Sequence, residues 1–560
     1  MSNYLYEVQQ CLDGIPLKKW VAVLLLFCLL AFFAGLDGRD IEGADEPRIA
    51  GIAREIVISR NWTVPSLNGT DFLETPPLFY WCTALSIKLF GPSNFSAKFT
   101  AACCDTLGVF AIFMLMIVMR FSYFFAFVSA LALGSSIQYW GNSRKCMTDI
   151  MLAAFIALAM TAFYAVVTSP RLKYRIRWFM LFVIALSAAV MSKALIGLAI
   201  PCSALFCWLM IDNVFFQKRI NWPAWGALFG GAFLALFPLA IWLISVYHDA
   251  GYEAVYTIVW TNNIGRFTGS HAEHMEPFYY YLKYLPLQLQ PWTILLVGGL
   301  IMHLCNAWKR GPECSRSLFM LCWLLVPLMM LFVASGKRNV YLLPLYGAEA
   351  IIAGSFVAAV LVNDKVKVLL SGIIFKKISE VLGWVIVSVA PVFMVITILI
   401  GYSRMELSSY LIWAPLIAIT SVVLWYCKNN LARRCSIILA LAAFLVSIDT
   451  YMKPLDNSEE SFENIFMAVK GYQSAGTAGN FYLYRPSERV SGAAVFYLGR
   501  LVPVLKTPAD LVALEKYNNK VLVAAPSRQP GLVPLGKVHK RVGLYRLEHK
   551  NNINPTGIQI

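Results

Sequence analysis

Charged residues are scarce in this sequence of 560 residues: they make up 14% of the chain, whereas hydrophobic residues make up 59%. A soluble domain is nearer to one quarter charged and one half apolar. The mean hydropathy is +0.64. This composition excludes an ordinary soluble protein and predicts a polytopic membrane protein.

Cysteine and histidine form no recognisable disulfide or zinc pattern. All thirteen cysteines occur at or before Cys435, mostly within apolar runs, and none shows CxxC or Cys/His metal spacing. A free cysteine in such a run behaves as a small hydrophobe. No clear internal repeat is present either, which counts against a secondary transporter, because many transporters are built from repeats.

The net charge is +16, yet the distribution of the basic residues argues against a nucleic-acid partner. Lys and Arg occur mainly in short clusters between apolar runs, as at 171–177, 365–377 and 428–434. Cytoplasmic loops show this pattern under the positive-inside rule, whereas nucleic-acid-binding proteins collect basic residues on one surface.

Thirteen apolar runs have the length that a membrane-spanning helix needs, about 20 residues. They cover 20–37, 97–118, 122–140, 148–168, 178–192, 195–212, 224–247, 290–308, 318–335, 341–361, 383–402, 409–427 and 435–450. The first run has no small-x-small cleavage site after it, so we interpret it as a retained anchor. The shorter run 77–90 decides the topology.

We place the run 77–90 along the membrane interface, because the larger basic clusters then fall on the same side as Lys18 and Lys19. The N-terminus is then cytoplasmic, and the loops 38–96 and 248–289 face outside. The sequence therefore predicts an all-α membrane domain over 1–452 with about 13 transmembrane helices.

The tail, residues 453–560, lacks long apolar runs and is predicted to be a small α/β domain outside the membrane. Its strand-like pieces are 480–484, 501–505, 520–525 and 542–548, and its helix-like pieces are 461–471, 487–497 and 507–517.

Carboxylates are concentrated at the start of the first outer loop, at Asp37, Asp40, Glu42, Asp45 and Glu46. Asp45 precedes apolar residues spaced for one helix face, so a helix cap is the simpler explanation of this residue. One cap needs only one carboxylate. We therefore predict that Asp45 and Glu46 are catalytic, and we interpret the other three as solvated linker residues.

Further polar residues are predicted on the same side. Asp149, at the start of the fourth span, is either a functional acid or a helix cap. Outward-facing cations break the positive-inside tendency, and a phosphate-bearing ligand would explain them, with an irregular topology as the alternative. These cations are Arg144, Lys145, Lys193, Lys337 and Arg338.

The loop 248–289 mixes amides, cations and aromatic residues. Anchoring at the membrane interface explains its Tyr279–Tyr281 run but not the spacing of His271 and His274. Two metal-binding histidines on one helix would have this spacing. The segment around them is not convincingly helical, so a metal site is not favoured. Carboxylates, cations and aromatic rings on one face suit glycosyl transfer from a lipid-phosphate sugar.

Six motifs occur in the same order as in one family of membrane enzymes. They are DEPRIAGIARE (45–55), NWTVPSLNGTDFLETPPLFYW (61–81), TD (148–149), SK (192–193), HMEPFYYY (274–281) and KRNVYLLPLY (337–346). The sequence resembles the bacterial lipid A aminoarabinose transferases and the protein O-mannosyltransferases, which share the GT-C membrane fold. The resemblance covers residues 15–360 best.

The resemblance implies a polyprenyl-phosphate sugar donor and an active site on the periplasmic face of the bacterial inner membrane. By position, Asp45 and Asp149 match the first and second essential acids of the family, while Glu46 and Arg48 complete the loop motif. The positions that match substrate-binding residues are Glu74, Lys193, Arg266, His274 and Tyr341.

Two departures concern the substrate. Thr75 stands where aminoarabinose transferases usually have lysine, so either donor phosphate binding shifts to Lys193, Lys337 and Arg338 or the substrate differs. Ile49 replaces the tyrosine that is usual in the first-loop motif.

The predicted activity is transfer of a sugar from undecaprenyl phosphate to a lipid A or lipopolysaccharide acceptor. A protein O-mannosyltransferase-like or other envelope glycan-modifying transferase is the alternative among enzymes. A lipid or polysaccharide transporter is the alternative of another class, and a sensor or scaffold would leave the first-loop acids unexplained. No dedicated metal ligands are visible, although a divalent metal ion could assist the phosphate-binding cations.

Overall fold

The structure is a computed structural model of the chain. It describes residues 15–265, 275–290, 292–310, 313–362, 461–476, 479–514, 521–526, 532–536 and 542–547. The first four ranges form a helical part, and the remaining ranges form a smaller part of mixed helix and strand. The predicted domain boundary at 452 and the last three predicted spans lie outside the described residues.

Helices dominate the first part. In chain order they are α1 (Leu17–Cys28), α2 (Asp45–Ser59), α3 (Leu78–Phe90), α4 (Asn94–Val118), α5 (Tyr123–Ser135), α6 (Ile137–Ser143), α7 (Thr148–Thr168), α8 (Leu172–Lys193), α9 (Leu195–Met210), α10 (Trp222–Ala235), α11 (Phe237–Tyr256), α12 (Tyr280–Gln288), α13 (Thr293–Lys309), α14 (Cys314–Val333) and α15 (Tyr346–Val362). Short π-helical segments continue α1, α9 and α11 over Leu29–Phe33, Ile211–Phe216 and Thr257–Gly265. Short 3-10 helices cover Leu36–Gly38 and Asn339–Leu345.

Eight helical runs among the described residues are long and apolar enough to cross a membrane. They are Leu17–Gly38, Asn94–Val118, Thr148–Thr168, Leu172–Lys193, Leu195–Phe216, Trp222–Asn262, Cys314–Val333 and Asn339–Val360. Six of them contain a predicted span in full, and the last two overlap the predicted spans 318–335 and 341–361 except at their final residues. Most of the predicted spans within the described residues are thus confirmed.

One predicted span is wrong in extent. The apolar run 122–140 is not a single helix, because the chain is extended at Ser136, between α5 and α6. The hydroxyl groups of Ser135 and Ser136 donate to the carbonyls of Leu131 and Leu133. Serine side chains that bond to the local backbone in this way compete with continuation of a helix.

The helix α3 has 13 residues, which gives it a length of roughly 20 Å at 1.5 Å per residue. The hydrocarbon core of a bilayer is about 30 Å thick. The helix is therefore too short to cross the core, in agreement with the interfacial position that the sequence predicted.

The first loop contains two short strands, β1 (Ser66–Leu67) and β2 (Thr70–Asp71). The elements of the C-terminal part are α16 (Glu463–Ser474), β3 (Phe481–Tyr484), α17 (Glu488–Leu498), β4 (Val504–Leu505), α18 (Pro508–Ala513), β5 (Leu522–Ala525), β6 (Leu532–Gly536) and β7 (Gly543–Leu547). Its five strands form one sheet in the order β4-β3-β5-β7-β6. The strands β3, β4 and β5 are parallel, whereas β7 is antiparallel to both of its neighbours. The predicted α/β character of the tail is thus confirmed.

The strand β6 was not predicted from the sequence. It contains Pro534, and proline cannot donate a ladder hydrogen bond, which makes a run that contains it a poor strand candidate. In the structure β6 lies at the edge of the sheet and its pairing is irregular between Pro534 and Gly536. An edge is the position in a sheet where proline is tolerated.

The two parts meet where α2 packs against α17. A methyl group at Gly51 would lie 2.5 Å from the Cα atom of Gly492, and one at Gly492 would overlap the carbonyl of Pro47. The two helix backbones are therefore in direct contact. This contact brings the first turn of α17 next to the first turn of α2.

Candidate active site

The helix α2 begins at Asp45 and has Asp45 and Glu46 in its first turn. Carboxylates are favourable at this position because the N-terminal end of a helix carries partial positive charge. The residue before the helix is Ala44, and no side chain caps the helix. The capping alternative for Asp45 is therefore wrong, and its carboxylate is directed to other partners.

Two arginines bind the carboxylate of Asp45. Oδ1 accepts from Arg48 at 2.7 Å, and Oδ2 accepts from Arg338 at 2.5 Å. Burial alone would raise the pKa of Asp45, but the charge and hydrogen bond of Arg338, helped by Arg48 and Lys193, outweigh it and lower this pKa below its ordinary value. Asp45 is therefore an ionised carboxylate with both oxygens engaged.

Arg48 connects Asp45 to two further acids. Its guanidinium lies 3.7 Å from Glu74 and 3.0 Å from Glu488, and it stacks over the ring of Phe72. Burial would lower the pKa of Arg48, whereas Glu74 and Asp45 raise it above its ordinary value. Arg48 is thus a permanent cation that holds three carboxylates around it.

Asp149 and Lys193 form a second ion pair, with the ammonium 2.6 Å from Oδ1 of Asp149. Asp149 lies in the first turn of α7 and Lys193 is the last residue of α8. The ammonium of Lys193 also lies 5.2 Å from the ring centre of Tyr341, a cation–π contact. The predicted residues Asp149, Lys193 and Tyr341 are therefore neighbours.

The two ion pairs belong to one site. Lys193 lowers the pKa of Asp45. Burial would lower the pKa of Arg338, but Asp45 raises it above the ordinary value, and Tyr341 and Asp149 add to this rise. We call the set formed by Asp45, Arg48, Asp149, Lys193 and Arg338 the charged cluster.

Glu46 has partners outside the charged cluster. Its side chain is buried, Oε2 accepts from Arg39 at 2.7 Å, and Oε1 accepts from the backbone N–H of Cys146 at 2.8 Å. Glu46 therefore joins the first loop to the turn before α7, which carries Asp149. The sequence predicted Glu46 as catalytic, whereas these contacts suit a residue that positions the two acids of the cluster.

Lys337 is buried next to Arg338, and its ammonium donates to the backbone carbonyls of Glu276 and Ala334. These contacts hold the segment that begins at Met275 against the segment between α14 and α15. Arg266 and His274, the two remaining predicted substrate-binding residues, lie outside the described residues.

Of the three acids interpreted as solvated linker residues, Asp37 is exposed, whereas Asp40 and Glu42 are half-buried, and all three have specific partners. Asp37 accepts from the backbone N–H of Phe95, and Glu42 pairs with Arg39. Asp40 accepts from Ser461 at 2.5 Å and from Asn94. The partners of Asp37 and Asp40 are distant in sequence and could not be recognised from the composition of the loop.

Two carboxylates that organise the site were not singled out from the sequence. Glu488 reaches Arg48 from the C-terminal part and looks in the sequence like any acid in a first helix turn. Glu55 accepts from the hydroxyl of Ser66 and from the backbone of Asn68 and Gly69.

The contacts of Glu55 fix a hairpin whose strands are β1 (Ser66–Leu67) and β2 (Thr70–Asp71). Asn68 and Gly69 both have positive φ, as a two-residue hairpin turn requires. This Asn-Gly pair therefore forms the hairpin turn, which returns the chain toward Glu74.

Metal binding finds no new support in the geometry. Within the described ranges, no group of three or more His, Cys, Asp or Glu side chains is arranged to hold a metal ion. His271 and His274 are not among the described residues. The participation of a divalent metal ion stays a prediction from the sequence.

Comparison with known proteins shows which proteins this chain is similar to. Residues 61–248 match the family model of dolichyl-phosphate-mannose-protein mannosyltransferases. The chain is 30% identical, over 339 residues, to an undecaprenyl phosphate-alpha-4-amino-4-deoxy-L-arabinose arabinosyl transferase of Proteus mirabilis and to another of Aeromonas hydrophila. Each match covers 60% of this chain and 59% of the relative's length.

The fold is that of a solved structure of ArnT from Cupriavidus metallidurans bound to undecaprenyl phosphate. The TM-score is 0.67 at 17% sequence identity, and the match covers 94% of this chain and 98% of the other. The apo form of the same protein matches equally well, with a TM-score of 0.67 at 16% identity. These matches confirm the resemblance indicated by the motifs and the predicted GT-C fold.

Proposed function

We propose that this chain is a membrane glycosyltransferase that moves a sugar from a polyprenyl phosphate, in the first instance undecaprenyl phosphate, to a lipid A or lipopolysaccharide acceptor. The observation that carries the proposal is the charged cluster, in which two acids and three cations meet at the ends of three membrane-domain helices. The related arabinosyl transferases, and the ArnT structure with undecaprenyl phosphate, support this choice of donor.

The reaction is a single displacement at the anomeric carbon of the donor sugar. An acceptor hydroxyl oxygen forms the new bond to this carbon, and the bond to the phosphate oxygen breaks. The polyprenyl phosphate leaves with the bonding electron pair, and the hydroxyl proton passes to Asp45. Cations fixed in a site of low dielectric stabilise the leaving phosphate more strongly than water does.

Arg338 has two competing partners in this scheme. In the structure it holds Oδ2 of Asp45, and 31% of its side chain is exposed, so an incoming phosphate can reach it. When the donor phosphate takes Arg338, one oxygen of Asp45 becomes free to accept the proton. Asp45 thus becomes a stronger base only after the donor, which carries the leaving group, has bound.

A transfer assay in membranes that contain the protein tests the proposal. The donors are radiolabelled polyprenyl-phosphate sugars, including aminoarabinose and mannose forms, and the acceptor is lipid A. We expect Asp45→Asn to lower the transfer rate by a factor on the order of 10²–10⁴, the usual contribution of a general base. Asp71→Asn, an exposed acid of the same loop, is the control and keeps the rate. Full activity of Asp45→Asn excludes the assigned role.

Two other functions have specific support and separate outcomes when a peptide acceptor is added to the same assay. The mannosyltransferase family match over residues 61–248 favours transfer of mannose to a protein, which predicts activity only with the mannose donor and a peptide acceptor. The buried acids Asp105 and Glu349 lie in apolar helices, and the carboxyl oxygens of Glu349 have no hydrogen-bond partner among the described residues. Buried acids in membrane helices often mark ion or substrate pathways, and absence of transfer from every donor would favour transport.

The proposed location is the bacterial inner membrane, with the N-terminus in the cytoplasm and the charged cluster and C-terminal part in the periplasm. The support is the distribution of basic clusters described above. A reporter enzyme that is active only outside the cytoplasm, fused after Ile560, tests the orientation. An active fusion is expected, and an inactive but stably expressed fusion contradicts the orientation.

A further inference from the structure

Three aromatic rings form an exposed row close to the charged cluster. Tyr252, Tyr256 and Trp260 follow one another at every fourth residue along α11 and its extension. Their ring centres are 6.1 Å and 6.5 Å apart, and the second pair is stacked nearly parallel. We call these three residues the aromatic row.

The aromatic row is open on its outer side and anchored on its inner side. The three side chains are 64%, 43% and 51% exposed in chain order. The opposite face of the same segment buries Ala254 and Ile258 in a cluster with residues of the first loop and of α8. The rings therefore stand on a fixed support, and about half of each side chain is exposed among the described residues.

The helical run that contains the row is longer than one membrane crossing and is broken directly before the row. The run Trp222–Asn262 has 41 residues, whereas one crossing needs about 20, and Gly251 inside it has a φ of 81°. The half of the run that contains the row also packs against the first loop, which carries Asp45. The row thus lies on the side of the charged cluster.

The row leads directly into the candidate active site. Asn262, two residues after Trp260, donates from Nδ2 to the carbonyl of Leu73 at 2.9 Å. Leu73 precedes Glu74, which contacts Arg48 of the charged cluster. A ligand that lies along the row therefore has one end at the loop that holds the reacting groups.

We propose that Tyr252, Tyr256 and Trp260 form a stacking platform for the sugar rings of the glycolipid acceptor. The C–H groups on the face of a sugar ring are weakly positive and pack on the negative face of an aromatic ring. One donor sugar would fill only the end of a row that is roughly 12 Å long. An acceptor with two or more sugar rings fits its length, and this inference rests on the glycosyltransferase function proposed above.

Transfer kinetics with lipid A test the platform. In the double variant Tyr256→Leu/Trp260→Leu the apolar character is kept but the aromatic faces are lost. We expect the KM for lipid A to rise about tenfold, with the KM for the polyprenyl-phosphate sugar unchanged. Trp222→Leu, at the opposite end of the same helical run and 71% exposed, is the control and changes neither constant.

Each other outcome overturns the platform. A rise in the KM for the donor alone assigns the row to the donor, and an unchanged KM for lipid A in an active variant excludes acceptor binding. An equal rise in the KM values for donor and acceptor, together with easier extraction of the protein from membranes, assigns the row to membrane anchoring. A wild-type protein that transfers no sugar contradicts the glycosyltransferase function itself, and the platform with it.

Discussion

At the scale of single residues, the site depends on how Asp45 is shared between two arginines. Both oxygens of its carboxylate are occupied, and Arg338 is the largest of the influences that lower its pKa. A carboxylate bound in this way is a weak base. Its reactivity therefore depends on whether another anion occupies Arg338.

The variant Arg338→Gln tests this dependence through the pH profile of transfer. Without the guanidinium, the effect of burial on Asp45 is less opposed, so the pKa of Asp45 rises. The base must be ionised to act, and we expect the acidic limb of the profile to move to higher pH. The rate at neutral pH should also fall by about 10²-fold, as it does when one stabilising donor is removed from an active site.

The control is Arg60→Gln, an exposed arginine that follows α2, and it should reproduce the wild-type profile. An acidic limb that stays in place in Arg338→Gln, despite a lower rate, would show that Asp45 is not the titrating base.

The pair formed by Asp149 and Lys193 gives a prediction about stability. Only 7% of the Asp149 side chain and 16% of the Lys193 side chain are exposed. Removal of one partner from such a pair leaves a buried charge uncompensated, which costs about 3–5 kcal/mol. Lys193→Ala should therefore unfold much more easily than wild type in a denaturant titration in detergent.

The double variant Asp149→Ala/Lys193→Ala is the informative comparison. It carries no unpaired charge, so we expect it to be more stable than Lys193→Ala although it lacks one more side chain. Equal or lower stability of the double variant would mean that the loss comes from packing rather than from the unpaired carboxylate.

At the scale of secondary-structure elements, the contact between α2 and α17 connects the C-terminal part to the site. The closeness of Gly51 and Gly492 lets Glu488 reach Arg48. Gly492→Ala should push the helices apart and lower the free energy of unfolding by about 1–3 kcal/mol, as overpacking does. Transfer activity should fall with it, because Glu488 moves away from Arg48.

Gly471→Ala is the matched control, because a methyl group there would meet no atom within 4 Å. In the middle of α16 this change should stabilise by up to about 1 kcal/mol through helix propensity. Thermal unfolding and protease sensitivity of the C-terminal part distinguish the two variants. Equal stability of the two would contradict close packing at Gly492.

The elements differ in how far the sequence predicts them. Long apolar helices and the Asn68-Gly69 turn follow from local signals, namely hydropathy and residues that accept positive φ. The break at Ser136 and the edge strand β6 depend on side-chain hydrogen bonds and on sheet position, which local composition does not encode. The partners of Asp40 and Glu488 depend on the tertiary fold and could not be predicted from the loop sequence.

The residues of the candidate active site also differ in how far the sequence predicts them. Asp45 was predicted from the cluster of acids in the first loop, Asp149 and Lys193 from charges at membrane boundaries, and Tyr341 from the resemblance alone. The structure brings these four residues together. No sequence signal distinguished Glu46, whose partners join two loops, from Asp45 beside it. The roles of Asp45 and Glu46 are distinguished by the side chains that each contacts in the structure, not by their positions in the sequence.

At the scale of the whole molecule, three segments meet at a pair of carboxyl groups. Asp40 of the first loop and Glu463 of α16 lie within hydrogen-bonding reach of each other. Nδ2 of Asn94, at the start of α4, donates to both at 3.3 Å. The surrounding charged groups are Asp37 in the loop and Lys98 of α4, whose ammonium binds the carbonyl of Asp40.

This junction predicts that the stability of the protein depends on pH. Burial, followed by the hydrogen bond and charge of Asp40, raises the pKa of Glu463 from 4.5 to about 7. The folded protein therefore binds this proton more tightly than the unfolded chain does. By linkage, the contribution of Glu463 to stability is greatest below about pH 4.5, declines as the pH rises toward 7, and is lost above it.

Melting temperatures at pH 5, 6, 7 and 8 test the prediction with Glu463→Gln, which keeps the hydrogen-bonding shape but cannot ionise. We expect a smaller loss of stability between pH 5 and 7 than in wild type, whereas the control Asp71→Asn keeps the wild-type dependence. A variant with the wild-type slope would contradict a shared proton at Asp40 and Glu463. A reduced slope would mean that the contact between the C-terminal part and the loop of Asp45 weakens as the surroundings become alkaline.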